Sequence, residues 1–170
     1  MKHSNSVLVV MLFTFSFANT YKKEKIPSTA IEKDSSQYLS EVIQFIQQIK
    51  QQELNNNFFI LEDEPATLDY FDCLKELRTD TATFSKTELS VIEQEGKEPL
   101  IKIWTNSLIP KIKIISADTV RNIFNDNSKS WPFFYKHIGH SVSNFSAPIF
   151  LRNYSCCLFY SDNNCGSLCG

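Results

Sequence analysis

Apolar residues at Leu39, Val42, Ile43, Ile46 and Ile49 recur at the three- and four-residue steps of an α-helix, with glutamines and Lys50 between them. Asp34 with Gln37 three residues on offers a capping-box start, and Asn55-Asn56-Asn57 offers a stop. The polar side of this Ser36–Asn55 helix is rich in Gln rather than in Lys and Arg, so the pattern predicts packing on a sheet rather than attachment to a membrane surface. Phe58–Leu61 then reads as a short strand, Glu62-Asp63-Glu64-Pro65 as a solvated acidic turn, and Asp69–Leu77 as a short helix with Tyr70, Cys73, Leu74 and Leu77 inward. Arg78–Thr87, polar and rich in Thr, reads as a loop.

The pattern changes period in the middle of the chain. Leu100–Trp104 and Lys111–Ile115 alternate Ile with Lys, as strands with one wet face require. Ser116 is placed to cap a helix with Ala117, Val120, Ile123 and Phe124 inward, ended by Asn125-Asp126-Asn127. Ser130 caps a second, with Pro132 in its first turn, Trp131, Phe134, Tyr135 and Ile138 inward, and Gly139 at its end.

Two runs rich in aromatic and aliphatic residues close the chain. Phe145–Leu151 and Ser155–Ser161, separated by Arg152-Asn153-Tyr154, predict a β-hairpin. Asp162-Asn163-Asn164 marks a further turn, leading into a tight loop through Gly166 and Gly170, whose left-handed tolerance suits it. No strand follows, so Ser155–Ser161 is expected to keep an open, apolar edge. In its order Trp131-x-x-Phe134, Phe145-Ser146-x-Pro148-x-Phe150, an apolar strand and Cys165-Gly-Ser-Leu-Cys-Gly170, the tail resembles a group of small exported bacterial proteins of uncharacterised function, chiefly from Bacteroidota. The resemblance spans roughly residues 36–170 and is specific in the last forty. In that group a further strand and a Lys-x-x-Gly-x-Trp-like ending follow the cysteine loop, which implies that this chain is shortened at its end. The resemblance brings no activity with it.

The amino terminus adds a destination. Lys2 and His3 precede the apolar stretch Val7–Ala18, which leaves through Ser16-Phe17-Ala18; a charged start, short apolar core and small-residue exit together read as a secretory signal over residues 1–18. A polar spacer over 19–35 leads into a single domain over 36–170. The expected localisation is therefore exported, periplasmic or secreted, with membrane contact only through an uncleaved leader.

Composition narrows the function classes. At 42% hydrophobic and 13% aromatic residues the chain has the means to fold, and a formal charge of −2 with scattered lysines gives no footprint for nucleic acid. Five cysteines, Cys73, Cys156, Cys157, Cys165 and Cys169, would meet an oxidising compartment after export. Cys156 and Cys157 are adjacent in a strand and point to opposite faces. Cys165 and Cys169 are close enough to bridge each other, a small loop worth about 2 kcal/mol by chain entropy; a bridge from Cys156 or Cys157 to one of them is the competing pairing. Cys73 is the expected buried thiol.

Sharper chemistry has weaker support in the spacing. Cys165 and Cys169 have three residues between them and no helix following, unlike a redox Cys-x-x-Cys, and a zinc site built from them with His137 and His140 departs from the common finger spacing. Asp69 with Asp72 and Glu93 with Glu95 are carboxylate pairs of a kind common on wet surfaces, and no nucleophile, metalloprotease or phosphate-loop motif is present. Asn144 and Asn153 lie in Asn-x-Ser sequences, relevant only in a glycosylating host.

These patterns predict an α+β fold, a mostly antiparallel sheet of about five strands with helices packed on one face, in an exported protein. The expected function is a non-catalytic interaction or structural role, with no catalytic residue, metal or cofactor, and a protein partner at the exposed strand edge. The alternatives are a thiol-redox or zinc enzyme centred on Cys165 and Cys169, and a shortened product without function of its own.

Overall fold

The computed structural model describes residues 7–12, 35–55, 59–68, 75, 77–126 and 128–166. Its elements run β1 (Val7–Leu12), α1 (Ser35–Leu54), β2 (Ile60–Glu62), α2 (Lys86–Lys97), β3 (Lys113–Ile115), α3 (Ala117–Asn125), α4 (Ser130–His137), β4 (Val142–Phe145), β5 (Ile149–Leu151) and β6 (Cys156–Asn164). The fold is α+β, as the pattern predicts. The sheet is mixed, however, rather than mostly antiparallel: in the order β1-β6-β4-β2-β3, β2 is parallel to both β3 and β4, while β1, β4 and β5 run antiparallel to β6.

Helices lie on both faces, not on one. Leu61, Phe145, Phe159, Cys157 and Phe150 share one apolar cluster with Tyr38, Val42, Phe45 and Ile46 of α1. Their strand neighbours Ile60 and Val142 pack with Ile123 of α3 and Phe134 of α4, and Leu158, Tyr160 and Cys156 pack with Ile92 of α2. Side chains alternate across a strand, so a stretch such as Cys156–Tyr160, apolar at every position, needs cover on both sides. Cys156 and Cys157 accordingly fall into different clusters, as their adjacency predicts.

α1 spans the predicted helix, but its inner stripe is rotated. Tyr38 and Phe45 are buried beside Val42 and Ile46, whereas Leu39 is 39% exposed. Tyr38 donates its hydroxyl to the Pro148 carbonyl at 2.9 Å, and Phe45 meets Phe150 and Phe159 edge to face. Burial pushes the Tyr38 phenol far above its ordinary range, leaving it a neutral donor.

Several other expectations shift. The polar stretch before Thr87 leads into α2, which begins at a complete capping box: the Ser85 hydroxyl accepts from the Glu88 N–H, and the Glu88 carboxylate accepts from the Ser85 N–H. Leu100–Trp104 is not a strand; Ile101 and Trp104 are buried, Ile103 is 53% exposed, and the Trp104 N–H goes to the Asp63 carbonyl. α3 starts at Ser116 as expected, its hydroxyl accepting from the Thr119 N–H. The cap of α4 is Lys129, so Ser130 is its first residue. Asp162–Asn164 does not turn: it continues β6 against β4, with Asn144 opposite Asp162 and Ser143 opposite Asn163.

The hairpin forms as predicted, with Leu151 opposite Cys156. Arg152, Asn153 and Tyr154 all take positive φ in its turn. The strain is held by Arg152, whose guanidinium donates to the Glu88 carboxylate at 2.7 Å and to the Thr83 carbonyl at 2.7 Å, fastening the turn to the start of α2. Of the Asp69–Leu77 helix only Lys75 and Leu77 are described, Leu77 being buried; Cys73 lies outside the described residues, as do Asp34, Asp69, Asp72 and Cys169.

Candidate functional site

Two features of the sheet stand out. The first is the edge of β6. One side of this strand pairs with β4 and β5, where Ser146 and Tyr160 exchange backbone and side-chain bonds that bridge the break between them. The other side pairs over Cys156–Ser161 with β1, from Val7 opposite Ser161 to Leu12 opposite Cys156. The expected open edge is therefore closed in the intact chain, and the segment that closes it is the apolar core of the predicted leader. Antiparallel pairing satisfies the backbone of an otherwise orphaned strand, which is why an apolar extended stretch settles there.

The second feature is a row of polar side chains running across the sheet on the α2, α3 and α4 side. Leu61 pairs with Ser143, which brings Glu62 beside Asn144, and Asn144 pairs with Asp162. Paired residues share a face, so Glu62, Asn144 and Asp162 form one line over three strands. The line lies between two apolar clusters, with Ile60 and Val142 on one side and Tyr160 on the other. Asp162 is only 8% exposed; its Oδ2 accepts from the Tyr160 hydroxyl and from the Asn164 amide, both at 3.3 Å, while its buried Oδ1 has no hydrogen-bond partner.

Glu62, expected in a wet turn, is instead half-buried at the end of β2. Burial pushes its carboxyl up to about 7; the Arg121 charge opposes this and Glu64, Asp63 and Asp162 add to it. Arg121 is held elsewhere, donating to Glu64 at 2.6 Å and to Asp118 at 2.9 Å. Asp63 is likewise committed, its Oδ1 accepting the first N–H of α3 from Ala117 at 2.9 Å. A group that holds a proton near neutrality in one row with a buried acidic side chain can give or take that proton, or accept a hydrogen bond from a donor bound along the row. The signal that could have found it is the end of an apolar strand at Glu62; the chain distance to Asp162 hid the rest.

The cysteine loop divides. Cys165 is buried and disulfide-bonded, while its expected partner Cys169 lies outside the described residues. Cys156 and Cys157 are buried thiols, which overturns the competing pairing through either. Burial raises the Cys156 thiol above its ordinary range, although the Arg152 charge opposes this, so it is a poor nucleophile at neutral pH. The Cys165 carbonyl accepts from the Tyr135 hydroxyl at 2.7 Å, and Gly166, at φ +56°, sits where a Cβ would strike Trp131 and Tyr135. That close approach ties α4 to the loop and accounts for glycine there.

The structure does not bring the remaining candidates together. His137 packs its ring on Phe133 at 4.3 Å, and Glu93 pairs with Lys97 and Arg78 on the outside of α2. Among the described residues no three His, Cys, Asp or Glu side chains are grouped so as to hold a metal ion, and no helix is long and apolar enough to cross a membrane. No protein-family model matches the chain, and no curated protein or solved structure matches it either.

Proposed function

We propose that this is an exported, non-catalytic interaction protein whose β6 edge accepts an extended apolar strand from another polypeptide. The observation that carries the reading is the identity of the present occupant. Val7–Leu12, six residues in register with Cys156–Ser161, is the stretch that reads as the core of a secretory signal. Cleavage after Ala18 would take it away and leave an apolar strand with unpaired backbone groups. Strand addition restores those bonds and draws its specificity from alternate side chains.

The test is a comparison of the chain before and after leader removal. A labelled peptide spanning residues 5–14 should bind the exported, processed protein in fluorescence anisotropy and should not bind the full chain, whose edge is already filled. Equal binding to both forms, or binding no better than a scrambled peptide, would overturn the reading. So would an exported protein whose amino-terminal sequence still begins at Met1.

A further inference from the structure

We propose that the row Glu62, Asn144 and Asp162 is a binding site for a primary ammonium group. This is independent of the β6 edge. The acidic residues alone would not carry it; the deciding observation is the buried Asp162 Oδ1, an acceptor without a donor in a residue 8% exposed. A buried acceptor left unmatched costs about 1–3 kcal/mol, which a bound donor would recover. Glu62 and Asn144 extend the same line on the same face.

The chemistry of the donors selects the ligand. An ammonium carries three N–H bonds and no acceptor, and the row offers three acceptors: Asp162 Oδ1, the Glu62 carboxylate and the Asn144 carbonyl oxygen. A guanidinium fits less well, because its flat fork wants both oxygens of a carboxylate and Asp162 Oδ2 is taken by Tyr160 and Asn164. Divalent cations demand more oxygen ligands than three side chains supply, in keeping with the absence of a metal-holding group among the described residues. Nearby cations do not fill the place: Arg121 bridges Glu64 and Asp118, and Lys113 donates to the Ile138 carbonyl at 2.7 Å.

n-Butylammonium is the probe, titrated into the full chain with the side-chain carboxyl carbons of Glu62 and Asp162 followed by NMR. Both signals should move together to saturation, and Asp162→Asn should weaken the affinity roughly tenfold or more, the scale on which losing one charged partner registers. Tetramethylammonium, which has the charge but no N–H, should leave both signals in place. Should Asp162→Asn fail to fold, Glu62→Gln at the half-exposed strand end serves instead, with the same loss expected. Equal response to tetramethylammonium, unchanged affinity in the folded variant, or no response to n-butylammonium would each overturn the site.

Discussion

The two faces of the sheet are built from the same strands and end up with different properties. The α1 face carries an aromatic layer in which Tyr38, Phe45, Phe59, Phe145, Phe150 and Phe159 contact one another in edge and tilted geometries, with the small polar Ser143 and Ser161 also on that face. The opposite face is cut in two by Glu62, Asn144 and Asp162, with α2 on one side and α3 and α4 on the other. One long helix can cover a continuous surface, whereas three short helices leave a seam between them. Stability is concentrated on the first face, and chemistry has room on the second.

The strongest way to break the contrast is to cut into the aromatic layer. Phe45→Ala removes a ring held by two edge contacts and should cost about 3–5 kcal/mol, read as a lower urea midpoint with unchanged slope. If the loss were under about 1 kcal/mol, the two faces would not differ as described.

A smaller effect should come from the seam. The folded chain holds the Glu62 proton more tightly than the unfolded chain does, so this group's contribution is fully present below the ordinary carboxylate range and is lost as pH rises through about 7. With solvent screening of a half-exposed group, the change should be on the order of 1–2 kcal/mol. Glu62→Gln should flatten stability between about pH 4.5 and 7; a slope that survives the substitution would show that Glu62 is not its source. The smallest effect belongs to the edge of the second face. Ser85→Ala removes one half of the α2 capping box and should cost about 1 kcal/mol, with faster amide exchange confined to α2 and the α1 layer unaffected.

These contrasts also explain how much could be read from the chain. α1, α3 and the hairpin were legible because their cues are local: a helical repeat over Leu39–Ile49, a cap at Ser116, two apolar runs around Arg152–Tyr154. The rotated stripe of α1 was not, because Tyr38 and Phe45 are drawn inward by Pro148, Phe150 and Phe159, a hundred residues away. Ser85-x-x-Glu88 was a visible start for α2, masked by the polar, Thr-rich stretch before it. Leu100–Trp104 alternates like a strand and yet finds no ladder, since the Trp104 indole N–H is taken by the Phe145 carbonyl and its backbone N–H by Asp63. The polar row joins positions on β2, β4 and β6, and no spacing along the chain announces a line that exists only after the strands are paired.

β6 follows β4 and β5 along the chain and lies inside the sheet, with β1 on one flank and β4 and β5 on the other. β2, β3 and β4 pair with one another without it, whereas β1 reaches the sheet only through β6, from the far end of the described chain. Contacts between such distant parts form slowly. Closure of β6 by β1 is accordingly the slow step in assembling this sheet, and the β2-β3-β4 ladder can form ahead of it.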